Sequence, residues 1–467
     1  MSELKAGDLW RDMQEDLQSG AIFQQALAHG RAYLREAYDR RVAPSQSAID
    51  ALDAFHEPLP EKMGDPAAII DQLHRYGSPG TMAQTGGRFF GLVNGSIIPT
   101  GLAARLLADM WDQNAALFAI SPVNGVVEEV CENWLRELLG LPENTRAGFV
   151  SGTSMALVCG LAAARWRLCQ RAGYDINAGG LAGAPRLRIV TGRHAHSTVI
   201  KAISLLGFGT DNIEWVDVDS EGRLRSSALP PLDDRTILLL QAGNVNSGAF
   251  DPLRTAGEAA NKAGAWTHID GAFGLWAAAS TSLRSLTDGL ELAQSWSLDG
   301  HKTLNTPYDN GISLCTDEEA ITGALQNTAS YIMFSENRDG MCYTPEMSRR
   351  ARGIELWATL KYLGREGVDR LVSTLHVRAK QFADELNAAG FDVVNAVHFN
   401  QVMVRIGDAE RTNAFVAAVQ ASGETWVGAS RWFDAPIVRI SVSSWATTSE
   451  DVTRAVSAFR DALSTAD

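Results

Sequence analysis

The chain has 467 residues, of which 45% are hydrophobic and 21% are charged, and its formal net charge at pH 7 is -14. This length is too great for one ordinary core and suits a large domain with a smaller one, and the composition is typical of a soluble globular protein. The negative charge and the lack of a basic run argue against nucleic-acid binding, because that binding depends on Lys and Arg contacts with phosphates.

The cysteines and the N-terminus bear on metal binding, disulfides and location. The five cysteines are widely spaced and include no Cys-x-x-Cys pair, so neither a zinc site nor a disulfide framework is expected. The first residues are polar and lack an apolar signal core, and no apolar run approaches the roughly 20 residues that a membrane helix needs. We therefore expect a cytoplasmic protein that does not act on a membrane.

The first 80 residues are expected to be helical. Apolar residues of the range Ala21–Tyr38 recur at helical spacing, and the prolines of 58–60 interrupt the pattern. A second apolar-periodic helix begins after Pro99 and is predicted to run to about Ser121. We predict an N-terminal helical segment over 1–80, a large domain over 81–330 and a smaller domain over 331–467.

Short apolar runs alternate with helical stretches between about 147 and 316. This alternation predicts an α/β domain with a mainly parallel sheet covered on both faces. Ligands bind such sheets at the carboxyl ends of the strands. The predicted strands are Leu187–Thr191, Ile213–Val216, Thr236–Gln241, Trp266–Asp270, Ser295–Leu298 and Gly311–Cys315, and the predicted helices span 154–172, 196–206, 254–264 and 288–293.

The C-terminal part is predicted to be a smaller α/β domain. No Pro/Ser-rich tether precedes it, so we expect it to pack tightly on the large domain. Its predicted helices lie near 348–364, 368–389 and 449–462, and its predicted strands are Phe391–Asn395, Val402–Ile406 and Ile437–Val442.

Two strand ends carry the residues that indicate the chemistry. Asp270 ends one apolar strand, and Lys302 follows the next in Asp299-Gly-His-Lys. A lysine amine binds the aldehyde of pyridoxal phosphate covalently, and a carboxylate holds a proton on the pyridine nitrogen so that the ring accepts electrons. The pair predicts a pyridoxal-phosphate enzyme, and an ordinary turn aspartate is the alternative for Asp270.

A helix N-terminus is the predicted phosphate site. Gly152, Thr153 and Ser154 lie between a strand end and a strongly helical stretch. Backbone N–H groups at such a terminus, together with two hydroxyls, form a seat for phosphate. Taken alone, the same residues are equally typical of an ordinary N-cap.

His196 opens the helix that follows the predicted strand Leu187–Thr191. Its imidazole could lie against the face of the cofactor ring and assist a later protonation. His194 is close in sequence, but no acidic or Cys partner at ligand spacing supports a metal site. We predict no metal and a structural role for His194.

Two further residues are candidates for cofactor contacts. Asn244 follows a buried strand, where a small polar side chain can reach a phenolic oxygen or a phosphate. Ala272 follows Asp270 closely and is small enough for a ring to lie against it.

In combination, these motifs resemble the group II pyridoxal-phosphate-dependent decarboxylases. That family includes the aromatic-L-amino-acid, tyrosine, glutamate and diaminobutyrate decarboxylases, and the likeness extends over nearly the whole chain beyond residue 80. The segments that carry it are Arg88-Phe-Phe-Gly, Ser151-Gly-Thr-Ser, His194-Ala-His-Ser-Thr, Gly243-Asn-Val-Asn-Ser-Gly-Ala-Phe-Asp-Pro, His268-Ile-Asp-Gly-Ala, Asp299-Gly-His-Lys and Pro345-Glu-Met-Ser-Arg-Arg-Ala-Arg.

The resemblance implies the aspartate-aminotransferase-like fold type I and a homodimer with its active site at the subunit interface. It also implies that Lys302 binds the cofactor covalently, that Asp270 pairs with the ring nitrogen and that His196 stacks on the ring. The residues implied for the phosphate are Gly152, Thr153 and Ser154, with His301 beside them.

The implied reaction is decarboxylation of an L-amino acid to the amine and carbon dioxide. An aldehyde synthase, an aminotransferase and a carbon–carbon lyase are the enzyme alternatives, and a non-catalytic protein is disfavoured because the cofactor-binding set is complete. Arg439 lies where transaminases keep a carboxylate clamp. A leaving carboxylate is best not held by a bidentate arginine, so we expect Arg439 to serve structure or a distal group.

The proton donor and the substrate are less well defined. In aromatic decarboxylases a mobile-loop tyrosine protonates the substrate Cα, and the segment 330–345 corresponds to that loop; Tyr343 is the nearest candidate, with a surface-turn tyrosine as the alternative. The segments Phe89–Asn94 and Trp111–Phe118 correspond to the substrate pocket, with core or dimer interface as the alternative. The chain departs from the aromatic decarboxylases at Val93-Asn94 and at Asp299, so the substrate, the final product and the pathway stay open.

Overall fold

The structure, a computed structural model, describes residues 6–326, 334 and 336–466. Its α-helices, in chain order, are α1 Ala6–Ser19, α2 Ala21–Glu36, α3 Gln46–Asp50, α4 Pro66–Gln72, α5 Ser78–Gly80, α6 Pro99–Trp111, α7 Pro122–Leu139, α8 Thr153–Arg171, α9 Ile176–Gly179, α10 Ser197–Leu205, α11 Leu253–Ala263, α12 Glu318–Leu325, α13 Gly353–Ala388, α14 Ala409–Ser422 and α15 Ser449–Ala466. Its strands are β1 Arg146–Val150, β2 Arg188–Gly192, β3 Ile213–Val216, β4 Thr236–Gln241, β5 Trp266–Asp270, β6 Ser295–Asp299, β7 Gly311–Cys315, β8 Asp392–Val393, β9 Gln401–Arg405, β10 Gly428–Trp432 and β11 Ala435–Ser441.

A seven-stranded sheet forms the larger layer, in the order β1-β7-β6-β5-β4-β2-β3. The neighbours from β6 to β3 are parallel, whereas β7 runs antiparallel to both β6 and β1. The predicted mainly parallel α/β sheet is therefore confirmed. The parallel order brings the carboxyl ends of β4, β5 and β6 to one edge of the sheet.

The sheet is covered on both faces, as its fully apolar strands predict. Every residue of β4 is buried, and alternate side chains of a strand point to opposite faces. Leu238 and Leu240 pack in the core that includes α7 and α11 residues, while Ile237 and Leu239 pack with α8 and α10 residues. This double burial holds the strand ends in fixed positions.

A second sheet has the antiparallel order β10-β11-β9-β8. Its core includes Phe382 of α13, Phe415 of α14 and Phe459 of α15. Phe90, far earlier in the chain, joins this core and meets Phe382 edge-on at 4.9 Å between ring centroids. The domain boundaries near residues 80 and 330 stay a prediction. Phe90 lies in the predicted large domain but packs in the core of the second sheet.

The helix predicted from Pro99 to Ser121 is wrong beyond Trp111. Asp112 ends α6 in a left-handed conformation with φ of 47°. The following residues bond to a distant segment instead: Ala115 N–H donates to Arg349 O at 2.9 Å, and Phe118 N–H donates to Asp339 Oδ1 at 2.8 Å. These long-range bonds replace the helical ones that the apolar spacing suggested.

Other differences follow from local conformation. The helices predicted near 348–364 and 368–389 form the single span α13, with Gly364 at φ of 58° and ψ of -173° marking the kink between them. The helix predicted at 288–293 is a short turn, Leu290–Leu292. Pro122 begins α7 rather than ending a helix, because proline is favourable at the first helical position. The sequence also did not predict α14 or β10.

No helix in the described ranges has both the length and the apolar character needed to cross a lipid bilayer.

Candidate functional site

A cavity of about 200 Å³ lies at the carboxyl ends of β4, β5 and β6, beside the N-termini of α8 and α10. Its position matches the rule that ligands of parallel sheets bind at this edge. The predicted site residues that line it are Gly152, Thr153, Ser154, His196, Asp270, Ala272, His301 and Lys302. Residues from four separate segments therefore meet as expected, and the cavity supplies a space between them.

Asp299, at the end of β6, connects the lysine to the predicted phosphate seat. Its side chain is buried, and Oδ2 lies 3.0 Å from Lys302 Nζ. Oδ1 accepts a hydrogen bond of 2.7 Å from Thr153 N–H. The carboxylate thus balances the lysine charge and fixes the first residue of α8. Sequence reasoning noted Asp299 only as a departure from aromatic decarboxylases, because its contact with α8 spans 146 residues.

Close backbone packing explains the glycine of the phosphate seat. A Cβ atom on Gly152 would lie 3.3 Å from His301 Cε1, and one on Gly311 would lie 2.3 Å from Gly152 Cα. Thr153 Oγ1 is buried and has no hydrogen-bond partner among the described residues. A buried hydroxyl without a hydrogen-bond partner among the described residues, at the start of a 19-residue helix, fits contact with an anionic ligand.

Asp270, at the end of β5, makes fewer polar contacts than Asp299. Its buried carboxylate accepts one hydrogen bond among the described residues, from Ala272 N–H at 3.2 Å, and forms no ion pair with them. Burial raises its pKa, while its electrostatic interactions with His196 and Lys302 act in the opposite direction. A buried carboxylate with this little support fits a cationic N–H group placed in the cavity.

His196 caps the N-terminus of α10 and is held in one orientation. Its Nδ1 lies 2.7 Å from Thr198 Oγ1 and accepts the Thr198 backbone N–H at 3.3 Å. Burial lowers its pKa, so the neutral ring is favoured with its proton on Nε2. The one transferable proton is therefore at Nε2, on a residue that lines the cavity.

Asn244 does not line the cavity, although its neighbours Gly243 and Val245 do. Its amide donates to His194 O at 3.2 Å, and its Oδ1 accepts Asn246 N–H at 2.9 Å. These bonds give Asn244 a role in shaping the loop after β4. A direct contact with the cofactor stays a prediction.

Tyr343 does not line the cavity, so the structure does not bring the predicted proton donor to the other site residues. Its hydroxyl donates to Glu318 Oε1 at 2.7 Å, and Arg338 covers its ring with Cζ 4.5 Å from the centroid. These contacts hold the phenol against α12. Residues 330–333 and 335 of the predicted loop lie outside the described residues.

The two predicted substrate-pocket segments differ in position. Val93 lines the cavity, and a Cβ on Gly95 would lie 2.1 Å from Lys302 O, so the chain at 93–95 passes close to the lysine. In contrast, Trp111 ends α6 as a partly exposed side chain, and Phe118 packs against Gly125. Within one subunit, the second segment is not brought to the cavity.

Arg439 of β11 reaches the same region. Its side chain donates one long hydrogen bond, 3.4 Å to Val245 O, and pairs with no carboxylate in the described part of the chain. Burial lowers its pKa, and its charge lowers that of His196. Arg439 is thus a half-buried cation close to cavity-lining Val245 and has no acidic partner among these residues.

The donor set fits pyridoxal phosphate rather than a metal. The described residues contain no cluster of three or more His, Cys, Asp or Glu side chains able to hold a metal ion. They do bring together an amine, a sparsely bonded carboxylate, an oriented imidazole and a helix N-terminus with an unbonded hydroxyl. These groups match the aldehyde, ring nitrogen, ring face and phosphate of the cofactor.

Residues 50–407 match the model of the pyridoxal-dependent decarboxylase conserved domain. The chain therefore belongs to the pyridoxal-dependent decarboxylase family, which confirms the resemblance inferred from its motifs. It is 27% identical over 335 residues to an acidic amino acid decarboxylase of Mus musculus, covering 68% of this chain and 59% of that protein. It is 28% identical over 322 residues to an aromatic-L-amino-acid decarboxylase of Bacillus atrophaeus, covering 66% and 65%. The matched region thus spans less than two thirds of these relatives.

Solved structures agree on the fold. The structure of Oryza sativa TDC with PLP and tryptamine superposes with a TM-score of 0.87 at 21% identity, over 100% of this chain and 99% of that one. At this identity the likeness establishes the fold, which is the predicted fold type I.

Proposed function

We propose that the protein is a pyridoxal-phosphate-dependent decarboxylase that converts an L-amino acid to the corresponding amine and carbon dioxide. The observation that carries the proposal is the placement of Lys302 and the sparsely bonded Asp270 in one cavity at adjacent strand ends. Membership of the decarboxylase family supports it. The acidic and aromatic substrates of the relatives differ, so the proposal leaves the side chain of the substrate open.

The residues that would hold the cofactor are Lys302 for its aldehyde, Asp270 for its ring nitrogen, His196 for its ring face, and Gly152, Thr153, Ser154 and His301 for its phosphate. When bound, the cofactor supplies an electron-accepting ring that stabilises the electron pair left on Cα after carbon dioxide departs. Asp270 would keep a proton on the ring nitrogen, since its carboxylate lacks another cationic partner among the described residues.

Proton delivery to Cα would come from this chain's own groups at the cavity. His196 holds its proton at Nε2 because Nδ1 is occupied by Thr198. Lys302 Nζ is the other nearby donor and lies 3.0 Å from Asp299 Oδ2. Tyr343 in the same subunit is held on Glu318. We therefore infer that His196 or Lys302 protonates Cα.

The test is a panel of L-amino acids incubated with full-length protein and pyridoxal phosphate. Carbon dioxide and amine should be released in equal amounts from at least one substrate, and Lys302→Ala should abolish both. Lys361→Ala, at an exposed lysine of α13 that does not line this cavity, is the matched control and should retain activity. An equal yield of amine with and without oxygen supports the decarboxylase, whereas aldehyde, ammonia and peroxide in air would indicate the aldehyde synthase.

An aminotransferase is the second candidate, and Arg439 is the observation that favours it. A half-buried guanidinium without an acidic partner among the described residues fits a substrate carboxylate. If Arg439 clamps the α-carboxylate, Arg439→Leu should abolish substrate binding, and the enzyme should consume 2-oxoacids stoichiometrically. If Arg439 contacts structure or a distal group, as we expect, carbon dioxide release persists in the variant with an altered KM.

Homodimerisation is part of the proposal, and exposed apolar side chains support it. Leu106, Leu107 and Met110 of α6 are 43%, 47% and 67% exposed, and Val123 and Val126 of α7 are 41% and 51% exposed. Exposed apolar side chains on neighbouring segments of the chain fit association with a second copy. Sedimentation of the full-length protein should give twice the monomer mass, and a monomer that retains full activity would contradict an interfacial site. Cytoplasmic location stays a prediction from the sequence.

A further inference from the structure

Tyr308 lies just outside the cavity and contacts two parts of its wall. Its ring stacks on the imidazole of His301, with centroids 4.2 Å apart and planes at 28°. Its hydroxyl donates to Asn94 Oδ1 at 3.0 Å. The side chain thus links the predicted phosphate partner on one side with the 93–95 segment on the other.

The stacked ring of Tyr308 adds to two polar contacts that orient His301. His301 Nδ1 accepts Asn310 N–H at 3.0 Å, so in the neutral ring the proton lies on Nε2. Burial lowers its pKa, which favours that neutral form. Nε2 lies 3.5 Å from Asp299 Oδ2, which is longer than an ordinary hydrogen bond. Tyr308 covers one face of the imidazole and so limits movement of the ring away from Asp299 and Gly152.

The hydroxyl of Tyr308 acts on a different element. Asn94 donates through Nδ2 to Gln84 Oε1 at 3.1 Å and accepts from Tyr308. The adjacent Val93 lines the cavity, and Gly95 lies against the carbonyl of Lys302. The hydrogen bond therefore fixes the chain that borders the space left for the substrate.

We propose that Tyr308 is a positioning residue with two separable roles. Its ring orients His301 toward the cofactor phosphate, and its hydroxyl positions Val93 toward the substrate through Asn94. The inference rests on the proposed function, because both roles presuppose that the cavity binds pyridoxal phosphate and an amino acid.

The two roles predict different results for different substitutions. Tyr308→Phe keeps the ring and loses the hydroxyl, so it should raise KM by about 3- to 10-fold, the range expected for one hydrogen bond, with an unchanged dissociation constant for pyridoxal phosphate. Tyr308→Ala loses both, so it should also weaken pyridoxal phosphate binding by about 3- to 10-fold, the range expected for one aromatic stack. Tyr308→Trp should behave like Tyr308→Phe.

Cofactor affinity is measured without turnover, by titrating dialysed full-length protein with pyridoxal phosphate and following absorbance. Thermal unfolding checks that each variant folds, and Tyr362→Ala, at a 65% exposed tyrosine of α13, is the matched control. Asn94→Ala should raise KM as Tyr308→Phe does, and the double variant should add little.

The outcomes distinguish this inference from the proposed function. Wild-type protein that binds no pyridoxal phosphate would defeat both. Wild-type protein that binds it normally, with folded Tyr308→Ala binding equally well, would overturn the role of the ring alone. A loss of cofactor affinity in Tyr308→Phe as large as in Tyr308→Ala would contradict the separation of the two roles.

Discussion

Asp270 and Asp299 end adjacent parallel strands of one sheet, and both are buried, yet their surroundings differ. Asp299 accepts Thr153 N–H at 2.7 Å and lies 3.0 Å from Lys302 Nζ. Asp270 accepts one hydrogen bond of 3.2 Å among the described residues. The Asp299 carboxylate is stabilised by the protein itself, whereas Asp270 lacks the partner that a buried charge requires.

The comparison shows that residue type and position on a strand do not determine a role. Asp299 stabilises the apoprotein by joining β6, α8 and Lys302. Asp270 has its pKa raised by burial, which favours proton sharing with a ligand N–H group. We attribute cofactor activation to Asp270 and site assembly to Asp299.

Substituting each aspartate by asparagine separates the two roles with the largest expected effect. Asp270→Asn removes the negative charge opposite the ring nitrogen, so we expect kcat to fall by about 10²- to 10³-fold, the range seen when one preorganised electrostatic contact is lost. Asp299→Asn keeps an acceptor for Thr153 N–H and leaves Asp270 intact, so its kcat should exceed that of Asp270→Asn by at least about tenfold.

Steady-state kinetics of both variants, with cofactor content measured from absorbance, checks this prediction. If Asp299→Asn is the less active variant at equal cofactor content, the assignment of the two roles is wrong. Site assembly by Asp299 would then affect kcat more than the charge at Asp270.

The next largest predicted effect is a loss of stability when the packing beneath Asp270 is disturbed. A Cβ on Gly160 of α8 would lie 2.6 Å from His268 Cε1 and Nδ1, two residues before Asp270 on β5. Gly160→Ala should therefore lower the free energy of unfolding by about 1–3 kcal/mol, as overpacked cores do. Gly30→Ala, at an exposed position of α2 with nothing within 4 Å, should raise it by about 0.5–1 kcal/mol.

Urea unfolding of the two glycine variants measures both changes. Equal effects of the same sign would show that helix propensity, and not contact with β5, controls Gly160.

The smallest predicted effect is a pH dependence of stability that originates in β5. Burial lowers the pKa of His268 to about 3, against about 6.5 in an unfolded chain. Between these values the unfolded state binds more protons, so the His268 contribution is present above about 6.5 and is lost as the pH falls toward 3. Asp251, with a pKa raised by burial to about 6, has the opposite sign, because its contribution is lost as the pH rises.

His268→Gln should therefore lose stability less steeply than wild type between about pH 7 and 5. Unfolding free energies measured over that interval test it. A slope equal to that of wild type would place the acid sensitivity elsewhere.

Local patterns predicted the parts of the fold that depend on short apolar runs. The bounds of β3, β4, β5 and β7 match the predicted strands. Every residue of β4, β5 and β7 is buried, whereas the edge strand β3 is apolar and buried only at its two ends. The end of α6 and the strand β10 did not follow from the sequence. Contacts with distant segments determine where α6 ends. Partly exposed residues make up most of β10.

The site also contains features that local sequence patterns predicted and contacts that they did not. Strand ends were enough to bring Asp270 and Lys302 to one cavity. The partners of Asp299, the loop bonds of Asn244 and the attachment of Tyr343 to Glu318 depend on side chains that meet only after folding. No spacing along the chain encodes these contacts.

Reduction of the pyridoxal-phosphate-loaded protein with borohydride tests the central assignment most directly. We expect one pyridoxyl group per subunit, carried by the peptide that contains Lys302, and no label in Lys302→Ala. A loaded wild-type protein that acquires no label on that peptide, or carries it on another lysine, would contradict the account.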